Sequence, residues 1–340
     1  MAVRIQRTPS SSGSNSKFTF SCWVKRTTLS ALSPMFSAGT SGQSQIVFDA
    51  QDELGVYDGG TVIMETNRLF MDTNAWYHIV VTLDATESGT DKAKLYVNGV
   101  QETSFKTDNR SSFSSLAKAN QSGQVQDIGS DGTGNFLGYM THVHMTDNYA
   151  YAASTFGSTD STSGIWKPAT SPSVTYGTNG FFLKFENSGN LDLDSSTNAH
   201  TFSTTGTLTQ AIDTPSNNFA TANTLVQPDP SNGTFSTSNG GNKFTTNFTS
   251  KSIAGYSSLG MSSGKYYVEC KYISGNHAIF GAVTQDYESA GTSFSIDNND
   301  WGVEKGTKVN YGGSSNASWH GDWSPNDILG CAIDLDTGNG

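Results

Sequence analysis

Charge is scarce in this chain of 340 residues. Asp, Glu, Lys and Arg make up 14% of it, against roughly 25% in an average soluble protein. The basic sign is the scarcer: 19 Lys and Arg face 30 Asp and Glu, a net charge of −11. That balance excludes nucleic acid as a partner, because a phosphate backbone is held by clustered cations. It also excludes a polybasic membrane-surface site. No apolar run reaches the ~18 residues a spanning helix needs, so no membrane partner is expected. The opening MAVRIQRTPS lacks the apolar core of a secretory signal. Cysteine is rare: Cys22, Cys270 and Cys331 are odd in number, widely spaced and free of any C-x-x-C pattern. A zinc ribbon or a disulfide framework is thereby excluded. Each cysteine lies in an apolar run and is expected as a buried free thiol, in a chain that folds in a reducing cytosol. Helical periodicity is almost absent too.

What is present is alternation. Aromatics are 11% of the chain and glycines number 36, the composition of a folded, turn-rich β protein. Phe18, Phe20 and Cys22 share one face of FTFSCWVKR. Tyr77, Ile79, Val81 and Leu83 alternate with Trp76, His78, Val80 and Thr82, and two largely apolar faces suit a central strand. Asn98-Gly99 in KLYVNGV predicts a tight type I′ hairpin. GYMTHVHM is a strand with Thr141, Val143 and Met145 on one face, and GFFLKFEN is another with Phe181, Leu183 and Phe185. Residues 191–250 turn polar and are punctuated by Asp213-Thr-Pro215 and Gln227-Pro228-Asp229-Pro230, which reads as an extended bridge. Apolar alternation resumes with Tyr266, Val268, Cys270 and Tyr272. The expected fold is all-β: two antiparallel sandwiches over 1–190 and 251–340, joined by that bridge.

Catalytic chemistry finds little purchase. Retaining glycosidases need two carboxylates about 5 Å apart, and no Glu-x-Asp-x-x-Glu run exists along a strand. Asp192 and Asp194 fall in the polar bridge, and Gly42-Gln-Ser44 lacks the closing glycine of a nucleophile elbow. No enzyme is expected. His142 and His144, at i and i+2, would share a face, with only Asp147 nearby as a further ligand; a solvent-facing or interface pair is the simpler expectation. The loop DIGSDGTGN carries Asp127, Ser130, Asp131 and Asn135, oxygen donors of the type calcium takes, so Asp127, Asp131 and Asn135 are the candidate metal ligands. Candidate sugar-binding rings are Tyr149, Tyr151 and Trp166, with Trp319 and His320 beside Trp323. Trp23, Trp76, Trp301 and Trp323 are expected in the core.

The pieces FTFSCWVKR, MFSAG, WYHIVVTLD, KLYVNGV and FLGYMTHVHM, in that order, resemble the laminin-G-like, concanavalin A-like lectin/glucanase fold over residues 1–190. SGKYYVECKY, IFGAV, GTKVNYGG and NDILGCAIDLDTG resemble a SPRY domain over 251–340. That resemblance implies a structural hairpin for Asp334 and Asp336, partner binding by inter-strand loops, and a further strand pair beyond Gly340. Trp166-Lys-Pro168, NGFFLKFEN, DSSTNAHTF and DTPSNNFAT resemble virion proteins of tailed bacteriophages. Both sandwiches are therefore expected to be concanavalin A-like, of jelly-roll type. The resemblance implies a virion protein made in the host cytoplasm: a tail fibre or other appendage that attaches to host-surface glycan. The alternatives are a capsid decoration or head fibre protein, and, third, a polysaccharide-degrading enzyme. Its partners would be other virion proteins, copies of itself and host glycan.

Overall fold

The computed structural model describes residues 3–336 apart from 41–42, 162–163, 218–219, 224–232, 239–240, 249–254, 277, 284–300, 307, 312–313 and 318–320. The side chains of 248, 308–311 and 314–317 are likewise left undescribed. The protein is all-β, with antiparallel sheets throughout. Its contacts divide it into two compact units, Met1–Phe219 and Ala220–Gly340.

The first unit is built from β1 (Arg4–Arg7), β2 (Lys17–Arg26), β3 (Ser33–Ala38), β4 (Ser44–Phe48), β5 (Glu53–Asp58), β6 (Thr61–Leu69), β7 (Tyr77–Asp84), β8 (Ala93–Val97), β9 (Val100–Gln101), β10 (Phe105–Asp108), β11 (Gln126–Ile128), β12 (Gly138–Met145), β13 (Gly157–Thr159), β14 (Trp166–Pro168), β15 (Phe181–Leu183) and β16 (Ser203–Thr205). One sheet of eight strands runs β10-β6-β5-β4-β3-β11-β1-β16. The other, of six, runs β15-β12-β2-β7-β8-β9, and β13 pairs with β14.

Register explains the core. Ile5, Ile128, Phe36, Ile46, Val56 and Met64 are successive cross-strand partners over six strands of the larger sheet. All six lie in one apolar cluster with Phe18, Phe20, Cys22, Ile79, Val81 and Leu83 of the other sheet. Strands alternate their side chains, so this inner row fixes what the outer face carries. The Asn98-Gly99 hairpin forms as expected: both residues have positive φ, 50° and 81°, and Val97 faces Val100.

Two readings of the sequence are corrected here. The strict alternation of Thr141, Val143 and Met145 fails, because the β12–β2 register shifts between Thr141 and His144. His142 takes φ 48° in this bulge, which turns Thr141 onto the outer face beside Trp23 while Val143 and Met145 stay in the core. Part of the polar bridge also belongs to the first unit. Residues 203–205 form β16 on the edge strand β1, and Asp213 makes a fully buried ion pair with Lys25 at 2.6 Å.

The second unit carries β17 (Gly233–Ser238) paired with β18 (Lys243–Phe248), β19 (Lys265–Lys271) paired with β24 (Ile328–Asp334), and a four-stranded sheet of β20 (Ile279–Ala282), β21 (Trp301–Glu304), β22 (Lys308–Tyr311) and β23 (Ser314–Ala317). Among the described residues these are three separate sheets. Tyr266, Tyr267 and Val268 are exposed among the described residues, where alternation predicts one buried face; β19 pairs there with β24. Trp323 is buried against Tyr272, and Trp301 is half-buried. The three thiols are free; Cys22 and Cys331 are buried, Cys270 only partly.

Candidate functional site

One residue out of step with the core row lies a polar row on the outer face of the eight-stranded sheet. Ser203, Gln6, Asp127, Ser37, Gln45 and Tyr57 are successive cross-strand partners. At its β5 end the row meets a cluster of ionisable groups. Glu53, Gly55 and Tyr57 alternate along β5. The Tyr57 ring lies across Gly55, where a Cβ would come within 2.3 Å of it, so only glycine lets the ring lie flat. The Tyr57 hydroxyl donates to Glu65 Oε1 on β6 at 2.8 Å. Burial, then the Glu65 carboxylate, pushes the phenol well above its usual range.

Asp49, Glu53 and Glu65 bring carboxylate oxygens within 4.8 Å of one another. Asp49 Oδ1 accepts the backbone N–H groups of Gln51 and Glu53, both at 2.9 Å. Burial, helped by its two acidic neighbours, holds its carboxyl above the usual carboxylate range. Lys106 of β10 supplies the counter-charge, with Nζ 2.5 Å from Glu53 and 3.6 Å from Glu65. These three acids are the group among the described residues with the geometry to hold a cation, and Lys106 already neutralises part of their charge. Both glutamates are thus ion-paired with the same lysine. What the arrangement can do is hold a polyhydroxylated ring. A half-buried aromatic face is ringed by carboxylates, the Gln45 amide and an ammonium.

The residues singled out in the sequence fall elsewhere. Asp127 sits in the middle of the polar row, buried, with Arg4 3.9 Å away. Burial raises its pKa. Asp131 Oδ1 accepts from Thr133 N, Thr133 Oγ1 and Gly134 N at 2.6–2.8 Å, so this carboxylate closes its own turn. Asn135 pairs across that turn with Ser130. Turn closure occupies Asp131, whereas Asp127 Oδ1, with Arg4 at 3.9 Å, and Asn135 Oδ1 are buried without a hydrogen-bond partner among the described residues.

Trp166, Tyr151 and Phe156 pack together over Val80 on the outer face of the six-stranded sheet. Trp166 Nε1 donates to His78 Nδ1 at 2.9 Å, so His78 Nε2 carries the proton and donates to Ser21 Oγ, also at 2.9 Å. His78 is stacked on Trp23 at 4.7 Å, and burial, then His142, lowers its pKa to about 3. Trp166 is thus a covering side chain. Tyr151 is half-buried and its hydroxyl accepts from Thr175 N; Tyr149 stacks on it at 6.2 Å and is 40% exposed. Of the expected solvent-facing or interface pair, the solvent-facing form is corrected: His144 is buried, stacked on Phe182 at 3.8 Å with Nδ1 3.0 Å from Tyr176 Oη, and His142 is half-buried in the bulge. Trp319 and His320 lie outside the described residues.

Residues 4–154, just under half of the chain, match the Laminin_G_3 family, described as the concanavalin A-like lectin/glucanases superfamily. The chain contains a concanavalin A-like domain. A comparison with curated proteins gave no match. Among solved structures, a Bacteroides ovatus protein described as carbohydrate binding is 17% identical over 60% of this chain and 56% of its own, with a TM-score of 0.39. Domain 4 of an extracellular arabinanase from Geobacillus stearothermophilus, in complex with arabinotriose, is 19% identical over 42% of this chain and 65% of its own, TM-score 0.32. Trypanosoma rangeli sialidase is 18% identical over 41% of this chain and 22% of its own, TM-score 0.30. The chain spans little more than half of the first of these. All three scores are low, and the assignment of the concanavalin A-like domain rests on the family match. Its Tyr57 cluster leaves no pattern along a single strand, because Glu53 and Glu65 meet across β5 and β6. The signal that could have found it is Glu53-x-Gly55-x-Tyr57, a glycine flanked at i±2 by an acid and an aromatic.

Proposed function

We propose that the concanavalin A-like domain binds glycan on the outer face of its eight-stranded sheet. Tyr57 offers its outward ring face to a sugar, and Gln45, Glu53, Glu65 and Lys106 take the hydroxyls. The observation that carries this reading is Tyr57 lying flat over Gly55, fixed by Glu65 and edged by polar side chains. Carbohydrate binding is a better reading than hydrolysis, because Tyr57 and its polar neighbours supply a ring face and hydrogen-bonding groups. On the sequence resemblance to tailed-phage virion proteins, the glycan is that of a host surface and the protein is an attachment component of the particle. Calorimetry with host-surface and neutral oligosaccharides tests the site: Tyr57→Ala is expected to weaken binding at least ~10-fold with an intact fold, the scale of losing one stacked aromatic contact. Unchanged affinity in Tyr57→Ala, or no glycan binding by the native chain, would overturn the reading. Immunogold labelling of phage particles checks the virion placement.

A further inference from the structure

The second unit repeats, on a different strand pair, the arrangement found around Tyr57. The register of β19 with β24 gives this pair two unlike faces. One carries Tyr266, Val268 and Cys270 opposite Ile333, Cys331 and Leu329. The other carries Lys265, Tyr267, Glu269 and Lys271 opposite Asp334, Ala332, Gly330 and Ile328. Alternation thus gathers the charged side chains of both strands on the face that holds Tyr267.

Tyr267 is 65% exposed, yet its ring is fixed. Its hydroxyl donates to Glu269 Oε1 at 2.9 Å, two residues along the same face. That hydrogen bond holds the phenol above its usual range. The hydroxyl end of the ring lies over Gly330, where a Cβ would come within 2.6 Å of Oη and 3.2 Å of Cε2. Tyr57 is seated in the same way, over Gly55 and tied to Glu65. Lys265 pairs with Asp334 on one side of Tyr267, and Lys271 is exposed beyond Glu269. Two ammonium groups and two carboxylates leave this face without net charge.

We propose that Tyr267 is a second sugar-binding platform, in the second unit, which takes a neutral saccharide ring on its exposed face. The aromatic face receives the C–H side of the sugar, and Lys265, Glu269 and Lys271 bond the hydroxyls at its edge. A tyrosine already held in one rotamer loses little freedom on binding. Balanced charge around the ring favours a neutral sugar over a uronate or an amino sugar, each of which would meet a like charge without a net opposite one. The ligand class rests on the reading of Tyr57, whose arrangement is repeated; the location of the site does not. One stacked ring with few directed bonds is expected to bind with a Kd on the order of millimolar.

The test is a backbone amide NMR titration of the full chain, native and Tyr57→Ala, with maltotetraose, cellotetraose and tetragalacturonate at matched ionic strength. The amides of Tyr267, Glu269 and Gly330 are expected to shift saturably with a neutral tetrasaccharide, and equally in Tyr57→Ala. Tyr267→Ala is expected to weaken binding at this face ~10-fold. Gly330→Val keeps the aromatic group but denies the ring its seat, and is expected to weaken it several-fold. A purely structural tyrosine would show neither loss. Three amides that stay still with both neutral sugars, and with any glycan that moves the Tyr57 amides, would overturn the proposal. So would a stronger response to tetragalacturonate. Saturable shifts at Tyr267 while the Tyr57 amides stay still would uphold this site and remove the first.

Discussion

The two outer faces of the first unit are made by the same alternation yet end in opposite states. On the eight-stranded sheet the outward residues are polar, and Tyr57, Lys106 and Gln45 remain open to solvent in part. On the six-stranded sheet the outward residues are Lys25, Trp23, His78 and His144, all buried beneath chain that returns after β12. A strand with two apolar faces must be covered twice. The segment from Tyr149 to Trp166 and the strap ending at Asp213 supply that second cover. The lesson is that the aromatic residues most prominent in the sequence are spent on covering a sheet, and the face left for a ligand is the less aromatic one.

If that contrast is right, substitutions on the covered face act on stability and those on the open face act on binding. The largest effect is expected at Lys25. Lys25→Met strands Asp213 and is expected to cost about 3–5 kcal/mol, measured by urea unfolding. Adding Asp213→Ala is expected to return most of it, since replacing a buried pair as a unit is often close to neutral. Acid comes next. His78, His142 and His144 all have pKa values lowered by burial, to about 3 for His78. Below pH 6.5 the unfolded chain takes up protons that the folded chain refuses. The stability that neutral His78 contributes is complete above pH 6.5 and is lost as pH falls toward 3, with a slope of about 1.4 kcal/mol per pH unit, and His142 and His144 act in the same direction. Unfolding at pH 7, 6 and 5 is expected to show it, and His78→Gln to reduce the slope by about one histidine's share. Trp166→Phe keeps the cover but leaves His78 Nδ1 without its donor, and is expected to cost about 1–2 kcal/mol. Smallest of all, Tyr57→Phe on the open face is expected to cost less than about 1 kcal/mol. Stability losses at Tyr57 that matched those at Trp166 would erase the distinction between the faces.

Much of the fold was legible because burial in a sandwich has a period of two. Phe18, Phe20 and Cys22 reach the core as read, and Asn98-Gly99 makes its turn because both residues tolerate positive φ. The bulge at His142 left no mark, since no glycine announces it, and its one-residue slip moved Thr141 to the other face. The site was harder to see for a related reason. Lys106 meets Glu53 from 53 positions away, and Asp213 meets Lys25 from 188. Such pairs depend on strand order and register, which local patterning does not encode. Trp166 was legible as an important residue but not as a cover, because a tryptophan destined for a buried histidine looks the same in sequence as one destined for a sugar.

The most direct test is a backbone amide NMR titration of the full chain with a glycan that it binds. The account predicts that shifts concentrate at Gln45, Gly55, Tyr57, Glu65 and Thr107, with the amides around His78 and Trp166 unmoved. Shifts centred on Tyr149, Tyr151 and Trp166 instead would contradict it.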